Sequence, residues 1–146
     1  MFKLSLRPLE SMDLREDLIG YNAGAFVCFE GKVRQHNKGK AVSAIEYEAY
    51  DLLCDNEAER IFEEAYKKYE ILTAKCVHRV GRLKPGEMAV WVGVLAEHRD
   101  AGFKACRYII DQIKFRLPIW KKEYYEDGHS GWLANEPVSL NIKRNI

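Results

Sequence analysis

Long apolar segments are absent from this 146-residue sequence. No stretch approaches the roughly 18 continuous apolar residues that a membrane-spanning helix requires. Residues 1–7 are too few and too often charged for a secretory signal peptide. We therefore expect a cytoplasmic protein with no membrane partner.

Cysteine is scarce and scattered. The chain has four cysteines, and they form no CxxC pair: Cys28, Cys54, Cys76 and Cys106. The absence of an export signal favours free, buried thiols in a reducing compartment. Cys28 lies in an apolar run, where a thiol is normally inert filling. Cys76 and His78 share a strand face, but no second ligand pair accompanies them, so we predict no metal site and no cofactor. Motifs of the GxSxG, P-loop and GxGxxG types are also missing.

The sequence has no excess of one charge: 23 Lys and Arg stand against 22 Asp and Glu, a net charge of +1. A protein that coats nucleic acid would be more basic, so any anion site must come from local clusters. The apolar fraction of 47% excludes a disordered chain. No repeat or linker divides the chain, which predicts a single domain over residues 1–146, and the sequence leaves open whether a tail after about residue 137 is ordered.

Hydrophobic periodicity predicts a mixture of helices and strands. Helical spacing covers residues 54–69 and 98–117, and Pro118 ends the second helix. Strand patterns cover residues 2–6, 71–80 and 88–95, with a turn at Lys84-Pro85-Gly86 before the last of them. Local hairpins and two main helices indicate an α+β fold with an antiparallel sheet.

Four further segments give weaker patterns. Residues 11–18 predict a short helix with Ser11 as its N-cap. Residues 23–30 predict a strand buried on both faces, and residues 42–50 a strand that returns antiparallel to it. From Ile119 onward we expect a short strand, an acidic turn at residues 126–128, and a tail.

Lys114 has an unusual position on the second helix. A helical wheel at 100° per residue, with Phe103 at zero, defines the core face of this helix. Four apolar residues fall between about 280° and 340°: Cys106, Ile110, Ile113 and Leu117. Lys114 falls near 20°, at the margin of that face. Its ammonium could reach water along its aliphatic stem or favour the helix C-terminus. Alternatively, it lies at the edge of a cleft, where partial burial favours a neutral amine that can act as a base or nucleophile.

The start of the same helix offers a second candidate, His98 and Arg99. Unpaired backbone N–H groups and an Arg fork suit a phosphate, whereas the simpler interpretation is that Asp100 caps the helix and its neighbours are solvated. His98 and Lys114 are 16 residues apart, about 24 Å along one helix, so one small pocket cannot hold both. A homodimer that brings one chain's helix start to the other's helix end would resolve this.

Basic residues cluster at Lys32, Arg34, Lys38 and Lys40, and again at Arg116, Lys121 and Lys122. Arg34 follows a strand and a glycine, and Lys121 follows the stiff segment Pro118-Ile119-Trp120, so both positions are expected to be fixed. Trp120 could stack a flat heterocycle, although such a residue more often lies in a core or interface. A single-stranded nucleic-acid binder would use the same groups, but net charge and motifs argue against it.

Four segments resemble the large, catalytic subunit of molybdopterin synthase. They are Gly24-Ala-Phe-Val-Cys-Phe-Glu-Gly-Lys-Val-Arg-Gln-His-Asn37, His78-Arg-Val-Gly81 with Lys84-Pro-Gly-Glu87, Val92-Gly-Val94 with His98-Arg99, and Lys114-Phe-Arg-Leu-Pro-Ile-Trp-Lys-Lys-Glu123. They occur in the family's order and spacing. The resemblance implies an α/β-hammerhead-type domain, a homodimer, and a small ubiquitin-like sulfur-carrier subunit at each end.

The resemblance also implies the chemistry. The carrier's C-terminal Gly-Gly thiocarboxylate would enter a pocket and give its sulfur to cyclic pyranopterin monophosphate (precursor Z), forming the dithiolene of molybdopterin. Lys114 matches the essential lysine and Lys121 the second active-site lysine. The matching binding positions are Arg34, His98 and Arg99 for anions, and Lys32, Val33, Lys122 and Glu123 beside them.

Three questions stay open at the level of sequence. Lys114 is expected to transfer a proton or hold the carrier's terminal carboxylate, and Lys121 to orient the thiocarboxylate, but acid/base and covalent roles are not distinguished. A non-catalytic partner-binding module that has kept the fold is the second hypothesis. The arginine that many family members carry near the C-terminal tryptophan is missing around Trp132, and Lys143 or Arg144 could replace it.

Overall fold

The computed structural model describes residues 1–134, which form an α+β fold as predicted. The two helices are α1 (Asp51–Lys68) and α2 (Arg99–Arg116), and a single 3-10 turn covers Leu9–Ser11. The strands are β1 (Phe2–Ser5), β2 (Ala25–Lys32), β3 (His36–Asn37), β4 (Lys40–Ala41), β5 (Ala44–Ala49), β6 (Ile71–Arg79), β7 (Gly81–Leu83), β8 (Met88–Ala96), β9 (Ile119–Tyr125) and β10 (Gly128–Ala134).

The strands form two four-stranded sheets and a small hairpin. The first sheet has the order β1-β6-β8-β2, the second β10-β9-β5-β7, and β3 pairs with β4 alone. All neighbours are antiparallel except β1, which runs parallel to β6. The expected antiparallel sheet is therefore two sheets, and α2 leads from the first directly into the second.

Both helices pack on one face of the first sheet. Residues of α1 and α2 at helical spacing are fully buried and share one core with the valines of β8, among them Ala58, Ile61, Ile109 and Ile113. Leu9, Leu14 and Leu18 cover the opposite face, where they meet Trp91. Because both faces are covered, every residue of β8 is buried. No helix within residues 1–134 is long and apolar enough to cross a membrane.

Three of the predicted elements are wrong. Residues 11–18 form turns instead of a helix, because the Ser11 hydroxyl donates back to the Pro8 carbonyl and caps no following turn. β2 is not buried on both faces, because it is the edge strand of the first sheet, and Cys28 is exposed there. β5 does not pair with β2; it pairs with β7 and β9 in the second sheet.

The end of the described chain also differs from expectation. The sequence predicts a tail beyond the acidic turn at residues 126–128, but this segment contributes strand β10. β10 pairs with β9, with a register shift between His129 and Trp132. The proposed substitutes Lys143 and Arg144, and the tail after residue 137, lie outside the described residues.

Candidate active site

A cavity of about 130 Å³ lies beside the last turn of α2, between the inner face of the second sheet and residues 32–42. Six of the nine site residues predicted from the sequence line it: Lys32, Val33, Arg34, Lys114, Lys121 and Glu123. We call it the Lys114 pocket. The structure thus brings four cations and one carboxylate together from three separate parts of the chain.

Lys114 is a half-buried cation of the pocket. Burial and the nearby charge of Lys121 lower the pKa of its ammonium. Among residues 1–134, no hydrogen-bond acceptor or carboxylate pairs with its Nζ. Lys114 also lies in the last turn of α2, where the helix dipole favours a cation, so two of the interpretations offered above hold together. A half-buried, unpaired amine with a lowered pKa is suited to proton transfer.

Strand β9 sets the direction of the next two pocket residues. Leu117 leaves the helical conformation before Pro118, and β9 starts at Ile119. Lys121 pairs in register with Tyr47 and Glu123 with Ile45 on β5. Since side chains alternate along a strand, residues 121 and 123 share the inner face. The stiffness expected of this segment therefore translates into a defined direction for Lys121.

Glu123 is 2% exposed, yet it is well partnered. The Asn37 Nδ2 donates to both carboxylate oxygens, at 2.7 and 3.0 Å. The Tyr125 hydroxyl donates at 3.3 Å, and Lys121 Nζ lies 3.9 Å from Oε1. A buried carboxylate without such partners would be strongly unfavourable. Glu123 therefore places a negative charge between cations inside the pocket.

Residues 32–34 form the outer rim of the pocket. Val33 is buried and tied to the 84–87 turn, because its N–H donates to the Glu87 carbonyl and its own carbonyl accepts from the Gly86 N–H. Lys32 and Arg34 flank it and are exposed. Arg34 has no hydrogen bond or ion pair within the part of the chain that the structure describes. The anchored backbone thus presents a free guanidinium at the pocket entrance.

Lys122 does not enter the pocket. It lies on the outer face of β9, where its Nζ stands 4.6 Å from the centre of the Trp132 ring. On the same face Trp120 makes an edge contact with Tyr50, at 5.1 Å between ring centres. The alternation of β9 explains the separation, because residues 120 and 122 face away from 121 and 123.

His98 and Arg99 also lie apart from the Lys114 pocket. They line an exposed depression at the start of α2, with Gly24, Glu97, Asp100 and Phe103. The predicted separation of the two helix ends is therefore real within one chain. Asp100 does not cap the helix: the cap residue is His98, with no side-chain hydrogen bond, and Asp100 pairs with Lys104 at 3.0 Å.

Sequence reasoning did not assign five residues that line the pocket: His36, Asn37, Val42, Ile45 and Tyr47. Tyr47 is 6% exposed, and burial together with Glu123 raises its pKa to about 12, so it is a neutral phenol. Its ring meets His78 edge-on at 5.1 Å. Burial and Lys114 lower the pKa of His78 to about 4, so this imidazole is neutral too. For Tyr47, the signal available in the sequence was the alternation of β5. For Asn37, it was the position of an asparagine beside a turn.

Comparison with known proteins gives a consistent result. The family model described as MoaE protein matches residues 5–116. A molybdopterin synthase catalytic subunit from Thermoplasma volcanium is 40% identical over 130 residues, which cover 89% of this chain and 95% of that protein.

Solved structures agree on the fold. The crystal structure of molybdopterin synthase from Staphylococcus aureus superposes with a TM-score of 0.84 at 36% identity, over 90% of this chain and 96% of the other. A complex of subunits 1 and 2 of molybdopterin-converting factor from Helicobacter pylori superposes at 0.70 over 97% of each chain; at 19% identity it supports the fold alone.

Proposed function

This chain belongs to the MoaE protein family and is a sulfurtransferase, a molybdopterin synthase catalytic subunit, and we propose that it performs sulfur transfer in the Lys114 pocket. In the activity of this family, a thiocarboxylated small carrier subunit supplies sulfur to precursor Z, which becomes molybdopterin. The observation that carries the proposed site is the meeting of Lys114, Lys121 and Arg34 around one cavity. The carrier's thiocarboxylate and the phosphate of precursor Z are both anions, and this cavity gathers cations.

The size of the cavity indicates which part of the substrates enters it. At about 130 Å³ it is smaller than the roughly 300–1,000 Å³ of sites that enclose a drug-sized ligand. It fits the narrow Gly-Gly end of the carrier and the reacting edge of precursor Z. The remainder of precursor Z, including its phosphate, would lie at the rim near Arg34 and beyond it.

The chemistry needs positioning and proton transfer more than a protein nucleophile. A thiocarboxylate sulfur is itself nucleophilic, which explains why no thiol lines the pocket. Lys121 would orient the thiocarboxylate by charge. Lys114, with its lowered pKa, would pass a proton to or from the reacting atoms. Lys32, Val33 and Glu123 would shape the rim and wall.

A homodimer accounts for His98 and Arg99. They lie at the start of α2 and Lys114 at its end, so in one chain they serve different surfaces. We propose that the start of α2 from one protomer completes the partner protomer's pocket and holds the phosphate of precursor Z. Backbone N–H groups at a helix N-terminus, together with an arginine, suit that anion.

Reconstituted turnover tests the proposed site. Wild type, Lys114→Ala and Lys67→Ala would each be mixed with thiocarboxylated carrier and precursor Z, and molybdopterin measured as its oxidised fluorescent derivative. Lys67 is a matched control, because it too is a lysine in the last turn of a helix, but on the exposed surface of α1. Losing a proton-transfer group should lower kcat roughly 10²–10⁴-fold. Full activity in Lys114→Ala would refute the site.

The same assay tests the shared pocket. Lys114→Ala and Arg99→Ala chains, each inactive alone, would be mixed and allowed to exchange subunits. If the pocket is shared, a mixed dimer has one intact site, and activity returns. No recovery despite demonstrated exchange would show that Arg99 acts in its own chain or not at all.

A further inference from the structure

The hairpin β3–β4 lies against the Lys114 pocket. Its turn consists of Lys38 and Gly39, with φ of 51° and 81°, the conformation of a tight two-residue hairpin. Such a short two-stranded hairpin is not stable alone. Two side chains hold it to β9: Asn37 bonds Glu123, and Lys40 Nζ lies 4.9 Å from the centre of the Tyr125 ring.

The bond between Asn37 and Glu123 is the closest side-chain polar contact among the described residues of the pocket. One amide nitrogen reaches both carboxylate oxygens, at 2.7 and 3.0 Å, while Lys121 Nζ is 3.9 Å away. A fully formed ion pair would bring the ammonium to about 2.7–2.9 Å. Glu123 is therefore turned toward the hairpin, and Lys121 is only loosely paired with it.

We propose that Asn37 is a positioning residue for sulfur transfer: by holding the Glu123 carboxylate on the hairpin side, it keeps Lys121 free to receive the thiocarboxylate. Without this amide, the buried carboxylate would keep the Tyr125 hydroxyl at 3.3 Å and would close on Lys121, its nearest charged donor. The ammonium would then be neutralised before the carrier arrives. This inference rests on the proposed function, since the thiocarboxylate is the anion that Lys121 would otherwise bind.

The surrounding charges fit this role. The titratable groups that line the pocket with Glu123 come from several elements: Lys121 on β9, Tyr47 on β5, Lys114 on α2, and Lys32, Arg34 and His36 around the rim. Tyr125, also on β9, bonds the carboxylate. Most of the titratable lining groups are cations, so the carboxylate stands among positive charges. Asn37 adds no charge, so it can fix the direction of the carboxylate without weakening the field that attracts the substrate.

The first test measures Lys121 directly and needs no turnover. Wild type and Asn37→Ala would be treated briefly with an amine-acylating reagent, and modification of each lysine quantified by mass spectrometry. We expect the labelling rate of Lys121 to fall several-fold in Asn37→Ala, because the new ion pair protects the amine. Lys67 should be labelled equally in both proteins. An unchanged Lys121 rate would overturn the proposal whatever the activity of the protein.

The second test separates binding from chemistry. In Asn37→Ala the KM for thiocarboxylated carrier should rise roughly tenfold, the effect of losing a charge-assisted hydrogen bond, with a smaller change in kcat. Ser43→Ala is the matched control: it removes another bond between this segment and β9, to the Tyr124 carbonyl, on the exposed side. Ser43→Ala should keep the wild-type KM. Equal effects of the two variants would assign the bond a merely structural role.

Two further variants keep the proposal falsifiable if Asn37→Ala folds poorly. Asn37→Asp places two carboxylates together, so one must hold a proton, and activity should fall as pH rises through neutrality. The double variant Asn37→Asp with Glu123→Gln restores an amide–carboxylate pair and should remove that pH dependence. A double variant as pH-sensitive as Asn37→Asp would contradict the proposal. An inactive wild type whose Lys121 labelling still responds to Asn37 would instead fault the proposed function.

Discussion

Arg116 ties the end of α2 to α1, only two residues beyond Lys114. Its Nη1 and Nη2 bond the two oxygens of Glu64 at 2.6 and 3.0 Å, and its Nε bonds Glu57 at 2.7 Å. The Tyr108 hydroxyl also donates to Glu64. These bonds fix the turn of α2 that carries Lys114. Replacing Glu64 with Gln removes the charge while keeping the shape, so it measures what the charge contributes.

The loss of stability expected for Glu64→Gln follows from the pKa of the Glu64 carboxyl. The Arg116 guanidinium lowers its pKa from an ordinary 4.5 to about 2. A shift of that size corresponds to roughly 3 kcal/mol of folding free energy. The Glu64 side chain is 39% exposed, so solvent screening reduces this to about 1–2 kcal/mol. The corresponding fall in Tm for a chain of this length is about 3–6 °C.

The direction of the Glu64 pKa shift determines the pH range in which this carboxylate stabilises the fold. The pKa is depressed in the folded state, so the stabilisation is fully present above pH 4.5 and is lost as pH falls through about 2. Urea unfolding of wild type and Glu64→Gln should differ by about 1–2 kcal/mol at pH 7, and by roughly half of that at pH 3. Glu63→Gln, one residue away and exposed, should match wild type. An equal difference at both pH values would refute the role of charge.

Two substitutions test other parts of the fold. In Gly24→Ala the new Cβ would lie 2.3 Å from the backbone carbonyl oxygen of Glu97, so thermal unfolding should show a loss of stability above about 1 kcal/mol. In Gly20→Ala the new Cβ would meet only two side-chain methyls, at 3.6 and 3.9 Å, so the stability should change little. Asp17→Asn should lower the urea midpoint of unfolding, because Lys75, whose side chain is 2% exposed, loses the carboxylate that lies 3.1 Å from its ammonium. Adding Lys75→Met should recover part of the lost stability. A double variant less stable than Asp17→Asn would contradict this.

The elements predicted correctly are those whose pattern is long and local. α1 and α2 have 18 residues each, and β6 and β8 nine each, so periodicity had enough residues to identify them. β2 failed for a different reason. An apolar run indicates burial but not whether a strand lies at the centre or the edge of a sheet, since that depends on which strands pair far along the chain. The pairing of β5 with β9 has the same long-range origin.

The pocket shows a similar division. Lys114 could be located from the helical wheel, because its position depends only on α2. The strand pattern could not tell Lys121 and Lys122 apart, since it does not show which face of β9 turns inward. Only the family resemblance assigned Lys121 the active-site role. Asn37 stood beside a turn, but nothing in the sequence pointed to a role in the chemistry. Its role arises from a contact with Glu123, 86 residues along the chain, which only the packed structure brings about.

The alternation of β9 limits how the chain length can vary near the pocket. Inserting one residue between Pro118 and Lys121 would do more than displace the lysine. It would exchange the two faces of the strand, sending Lys121 outward and bringing its neighbour into the cavity. An insertion of two residues would restore the facing while shifting the register against β5. Engineering that changes loop length is therefore best directed to the turn at residues 126–128, where the backbone is exposed and no pocket residue follows in β10.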